Sequence, residues 1–122
     1  PRGRVSGFGR PGATDMLMCV IEFATLPGME ERNRELVREL LVEAAKNPGF
    51  VSKESFTSRD NPGKVITISY WQDEASLRAW MRDPAHRRTI PIGRNELFSH
   101  YSIQIAEIQR GKNWRKDGGT SD

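Results

Sequence analysis

The sequence predicts an α+β domain on the ferredoxin-like β-α-β-β-α-β plan, with a four-stranded antiparallel sheet. Three observations carry that prediction. Four separate runs have the β-rich, period-two character of strands, and two stretches between them switch to a helical period. Asp60-Asn61-Pro62-Gly63 falls between the second and third strand runs and closes them as a hairpin.

Residues 16–25 (MLMCVIEFAT) form the first strand, with Leu17, Cys19, Ile21 and Phe23 on one face and Met18 and Val20 on the other. Leu26-Pro27-Gly28 ends it. From Met29 to Lys46, Leu36, Val37, Leu40, Leu41, Ala44 and Ala45 recur as one helical stripe. Glu30 and Glu31 open that helix and Lys46 closes it, as the helix dipole favours, and Asn47-Pro48-Gly49 stops it. The second strand is 50–58 and the third 64–72, where Val65, Thr67, Ser69 and Trp71 share one face and Ile66, Ile68 and Tyr70 the other. Asp73 caps a second helix over 74–82, whose Leu77, Trp80 and Met81 point at the sheet. Residues 85–97 read as a short helix broken by Pro91 and Gly93, and the last strand as 100–109.

The predicted helices cover one face of the sheet, while the other still carries apolar side chains. An open sheet with two apolar faces must bury the second elsewhere, and two copies packed sheet on sheet achieve that. A homodimer is the expected assembly.

The chain has 122 residues and a net charge of +3, but the charge is not where the fold is. Residues 1–12 carry three arginines and no acid, and 110–122 carry four bases against two acids, which leaves 13–109 at −2. The reading is a disordered extension over 1–14, a folded domain over 15–111 and a flexible tail over 112–122. Gly7-Phe8-Gly9-Arg10-Pro11-Gly12 matches a dinucleotide fingerprint only as a string, because no strand precedes it and no helix follows. A net-acidic body without a basic, aromatic strand pair speaks against nucleic acid as a partner. No apolar run approaches the roughly 20 residues of a spanning helix, so no membrane is expected either. Cys19 is the lone cysteine, which excludes an internal disulfide, suits a cytoplasmic setting and reads as a buried small hydrophobe.

Three stretches together resemble the antibiotic-biosynthesis monooxygenase superfamily. They are the first strand with Leu26-Pro27-Gly28-Met29-Glu30, the segment Ile68-Ser69-Tyr70-Trp71-Gln72-Asp73-Glu74-Ala75-Ser76-Leu77-Arg78-Ala79-Trp80, and Asp83-Pro84-Ala85-His86-Arg87-Arg88 leading to Gly93-Arg94 and Tyr101. The resemblance implies a dimeric α+β barrel. Its heme-degrading branch has a strand-one Asn, a helix-two Trp and a later iron-ligating His. Trp80 matches that Trp, but Ile21 and Ile90 stand at the other two positions. Its quinone-forming branch oxidises polycyclic phenols with neither flavin nor metal, using an Asn and a Trp around strand three. Trp71 matches the Trp, and Thr67 takes the Asn position.

Cofactor-free oxygenation needs a base to make an electron-rich anion, an apolar cavity and donors for the developing oxyanion. His86 or His100 is the candidate base, with Arg94 and Tyr101 as donors. Trp71, Trp80, Thr67 and Leu77 are the candidate substrate-binding residues. Each has a plainer reading. Trp80 belongs equally to a core stripe with Leu77 and Met81, Trp71 closes the sheet, His86 is solvated among Arg82, Arg87 and Arg88, and Arg94 bridges Glu96 or Glu107. No cofactor or metal is expected, since two His and one Cys lack ligand spacing. The expected function is oxidation of a small aromatic or polyketide-like compound. The alternatives are a non-catalytic dimer holding a small hydrophobic ligand, and heme degradation.

Overall fold

The computed structural model describes residues 16–117 and 119–121, with side chains through 117. The predicted extension over 1–14, with its glycine-rich string, lies outside the described residues. Strands β1 (Leu17–Thr25), β2 (Phe50–Thr57), β3 (Lys64–Trp71) and β4 (Phe98–Glu107) form one antiparallel sheet in the order β2-β3-β1-β4. Helices α1 (Glu30–Ala44) and α2 (Glu74–Arg82) fill the crossovers, giving the predicted ferredoxin-like topology. Two short helical turns, α3 (Pro84–Arg87) and α4 (Thr89–Ile92), and a π-helical turn over Gly93–Leu97 lead into β4. Strands β5 (Asn113–Arg115) and β6 (Gly119–Ser121) pair as a separate antiparallel ribbon. No helix among the described residues is long and apolar enough to cross a membrane.

The local chemistry explains most boundaries. Gly28 and Gly63 hold φ of 85° and 90°, the left-handed region their turns require. The Asp73 carboxylate accepts from the Ser76 amide at 2.8 Å and caps α2, while Asp83 accepts from the Ala85 amide and starts α3. Asn47 accepts from the Gly49 amide and donates to the Ser76 carbonyl, tying the end of α1 to α2.

Three expectations change. Helix α1 buries Asn33 and Ala44 and half-buries Leu36, Val37 and Leu40, whereas Leu41 is 39% exposed and Ala45 lies outside. At about 100° per residue, positions 36, 37, 40 and 44 lie within about 60° of Asn33 around the helix, while Leu41 lies about 80° away, on the flank. The helix ends at Ala44, so Lys46 lies beyond its last turn and pairs with Glu43 at 3.0 Å. Pro91 does not break the 85–97 segment, because it sits in the first turn of α4, where its missing N–H costs nothing. Gly93 is right-handed helical as well; its role is closeness, since a Cβ there would stand 2.9 Å from the Phe98 ring.

The register fixes the faces. Cys19 lies opposite Ser69 and Ile105, Ile21 opposite Thr67 and Ile103, and Phe23 opposite Val65 and Tyr101, all toward the helices. Leu17, Cys19, Trp71, Ala44, Leu77 and Trp80 form one buried cluster at the β1 N-terminal end. The other face carries half-buried Met18, Val20, Ile66, Ile68 and Tyr70 beside Phe56, which is 46% exposed.

Candidate functional site

A cavity of about 280 Å³ opens between the sheet, α1 and the 84–98 segment. Its sheet wall is Ile21, Phe23, Thr67, Tyr101 and Ile103; α1 supplies Asn33, Leu36, Val37 and Leu40. The opposite wall comes from Met81, His86, Thr89, Ile90, Gly93, Arg94, Leu97 and Phe98. A second void of about 60 Å³ reaches the aromatic cluster of Phe50, Trp71 and Trp80. Lys53, Thr67 and His86 border both spaces. Sheet and helices part here because the 84–98 segment, with its π-turn, replaces a continuous packed helix. Such turns often mark functional positions.

His86 is held by α3, which Pro84 and the Asp83 cap start at a defined point. Its ring packs against Trp80 with centroids 5.1 Å apart, and Nδ1 is buried without a hydrogen-bond partner. Burial pushes the imidazole pKa below its ordinary 6.5, with nearby Lys53 adding to the effect; the Met81 backbone and Asp83 oppose it. The lowered pKa favours the neutral ring, the form a general base needs. This is not the solvated histidine among arginines that its neighbours in sequence suggest.

Arg94 Nε donates to the Tyr101 hydroxyl at 2.8 Å, and its guanidinium carbon stands 5.9 Å from that ring's centroid. It bridges neither Glu96, which pairs with Arg32 at 3.1 Å, nor Glu107 at the far end of β4. The pair places one cationic and one phenolic donor on the cavity wall. Thr67 is buried and shares a 2.8 Å hydrogen bond with Ser55.

The remaining sequence candidates lie elsewhere. Trp71, Trp80 and Leu77 line the small void and not the larger cavity; Trp71 donates to Ser69 Oγ at 3.0 Å and stacks 6.1 Å from Trp80. His100 pairs with Ala24 on the sheet's other face, exposed and near Ser99, away from the cavity. Among the described residues no three His, Cys, Asp or Glu side chains gather as a metal site.

Two wall residues escape the sequence reading. Asn33 sits in a helix stripe otherwise apolar, and its burial shows only once the cavity is seen. Lys53 is hidden by simple alternation, which sets it on the face opposite Phe50. A bulge between Phe50 and Ser52 turns the strand, so Phe50 and Lys53 both face the helices. Burial lowers the Lys53 pKa, and the nearby Cys19 opposes that. Burial also raises the Cys19 thiol pKa, against the pull of Ser69 and Lys53, which disfavours the reactive thiolate.

The geometry has relatives. Residues 16–91 match the family model described as antibiotic biosynthesis monooxygenase. The jasmonate monooxygenase of Pyricularia oryzae is 24% identical over 93 residues, covering 76% of this chain and 43% of that protein. The Bacillus subtilis protein YqjZ is 29% identical over 76 residues, covering 62% and 65%. The chain thus spans less than two thirds of either relative. Among solved structures, one Shewanella oneidensis protein aligns with TM-score 0.70 at 18% identity, covering 79% of this chain and 94% of that one. SnoaB, a cofactor-independent oxygenase from Streptomyces nogalater, aligns with TM-score 0.68 at 18% identity, covering 80% and 97%. At those identities the structures speak to fold alone. The matched family model spans most of the described domain, and this chain belongs to the antibiotic biosynthesis monooxygenase family.

Proposed function

We propose that this chain is a monooxygenase that oxidises a small aromatic or polyketide-like compound in the 280 Å³ cavity without a cofactor. One observation carries the reading: a half-buried His86, its Nδ1 unpartnered and its pKa lowered by burial, on the wall of an otherwise largely apolar cavity. The volume falls just under the range of about 300–1,000 Å³ common for drug-sized ligands, which favours few rings over many. The names of the Pyricularia oryzae relative and of SnoaB support oxygenation as the reaction class.

For a substrate with an activated ring methylene, His86 removes one C–H proton and leaves a carbanion delocalised over the ring. That anion reduces dioxygen and bonds to it, giving a peroxide at the same carbon. The peroxide takes a proton, the second C–H proton leaves, the O–O bond breaks, and a carbonyl and one water result. All four electrons that reduce dioxygen come from the substrate, so the balance needs no external reductant. Arg94 and Tyr101 stabilise negative charge on oxygen as it develops.

The apolar strip on the sheet's other face supports a homodimer packed sheet on sheet, with Met18, Val20, Ile68 and Phe56 at the contact. Sedimentation tests this directly: a stable monomer contradicts it.

The activity test is oxygen uptake with a panel of anthrones and phenols, with no cofactor added. Uptake above background that is lost in His86→Gln supports the proposal. Background uptake across the panel, with binding intact, leaves a ligand-binding dimer. A Soret band with oxidative cleavage on adding hemin turns the reading to heme degradation.

A further inference from the structure

We infer that the cavity selects an anionic ligand, a small apolar ring compound bearing a carboxylate or phenolate, and that Lys53 pairs with its charge. The inference rests on the cavity being the ligand site and adds what kind of ligand it takes.

The wall of the cavity contains Lys53, Arg94 and His86 and not a single Asp or Glu; the adjoining void has no acid either. Net charge of the surrounding body does not explain this, because residues 13–109 are acidic overall. Other lysines of the fold are neutralised: Lys64 pairs with Glu22 at 3.1 Å and Lys46 with Glu43 at 3.0 Å. For Lys53, no carboxylate stands within ion-pair distance among the described residues. Its strand neighbours toward the helices are Ser69 and, across β3, Cys19, and neither is a carboxylate.

An ammonium half-buried among apolar walls without a counter-charge costs stability. Burial accordingly favours its neutral form, and an entering anion would reverse that by supplying the missing charge. Arg94 is a poorer candidate for the same task. It is exposed, and its Nε is already engaged by Tyr101, whereas Lys53 borders both the main space and the inner void. An oxyanion reaching inward therefore meets Lys53 beside His86, with the ring body left against Ile21, Leu40 and Ile103.

The test uses 2-naphthoate and its neutral isostere 2-naphthamide, titrated by calorimetry against the full chain. Wild type is expected to prefer the naphthoate by at least about tenfold, the scale of a hydrogen bond to a charged group. Lys53→Met is expected to bring the ratio close to one while keeping naphthamide affinity and the circular dichroism of the fold. Equal affinities in wild type overturn the inference and leave the cavity reading standing. A preference that survives Lys53→Met and disappears in Arg94→Met overturns the assignment to Lys53. Binding of neither compound removes the cavity reading and this inference together.

Discussion

At one end of the layer between sheet and helices, Trp71 is 1% exposed between Phe50 and Trp80, and about 60 Å³ is left empty. At the other end the same sheet meets α1 and the 84–98 segment around about 280 Å³. The strands continue through both ends, so the difference lies in what covers them. Over Trp71, α2 brings Leu77 and Trp80 down on an unbroken helix. Over Tyr101, short turns and a π-turn hold side chains apart and present His86 and Arg94. One end stabilises, and the other has been left open at the expense of packing.

The two ends differ most in stability at Trp71. Trp71→Ala is expected to cost about 3–5 kcal/mol, a large part of a typical domain's stability. Chemical denaturation measures it, and a loss below about 1 kcal/mol would show that this end is not the anchor.

His86→Gln probes the open end. The proposed base should lose about 10²-fold or more in turnover with little change in unfolding midpoint. The pH profile sharpens this. Since the folded pKa lies below 6.5, activity should persist as pH falls through 6.5 and decline only at more acid values. Stability has the matching sign: below 6.5 the unfolded chain takes a proton that the folded chain refuses, so stability falls as pH drops toward the folded pKa. Both slopes should flatten in His86→Gln.

Arg94→Met should lower turnover by about tenfold, less than for an enclosed oxyanion donor because water reaches the exposed Arg94. Tyr101 loses its 2.8 Å partner but keeps its ring contact with Phe98, so stability should barely move. The smallest effect belongs to His100→Ala. On the sheet's other face and exposed, it should change stability by less than about 0.5 kcal/mol and leave turnover untouched. A large loss of turnover there would move the site to the opposite face.

The packed end was legible in the sequence because its signals are local. Alternation gave the helix-facing side of β1 and β3, Asp73 gave the start of α2, and the spacing of Leu77, Trp80 and Met81 gave its buried face. The open end was only partly legible. His86, Arg94, Tyr101 and Thr67 stand on the cavity wall, but their residue types did not separate His86 from His100. That distinction comes from register, which puts His100 opposite Ala24, and from burial of a short helical turn. Lys53 was hidden by one bulge, since a single extra residue moves every later side chain to the other face. Pro91 is compatible with the first turn of α4, where it stands, while α4 does end before Gly93, where the backbone passes into the π-turn.

The proposed function requires the open end, and not the aromatic end or the far face of the sheet, to receive the ligand. Amide chemical-shift mapping during a titration with 1-naphthol tests it most directly. Shifts are expected to concentrate at Thr67, His86, Ile90, Arg94 and Tyr101, with Val20, Ile68 and Gln104 unmoved. Shifts gathered on Val20, Ile68 and Gln104 while the His86 region stays silent would contradict it.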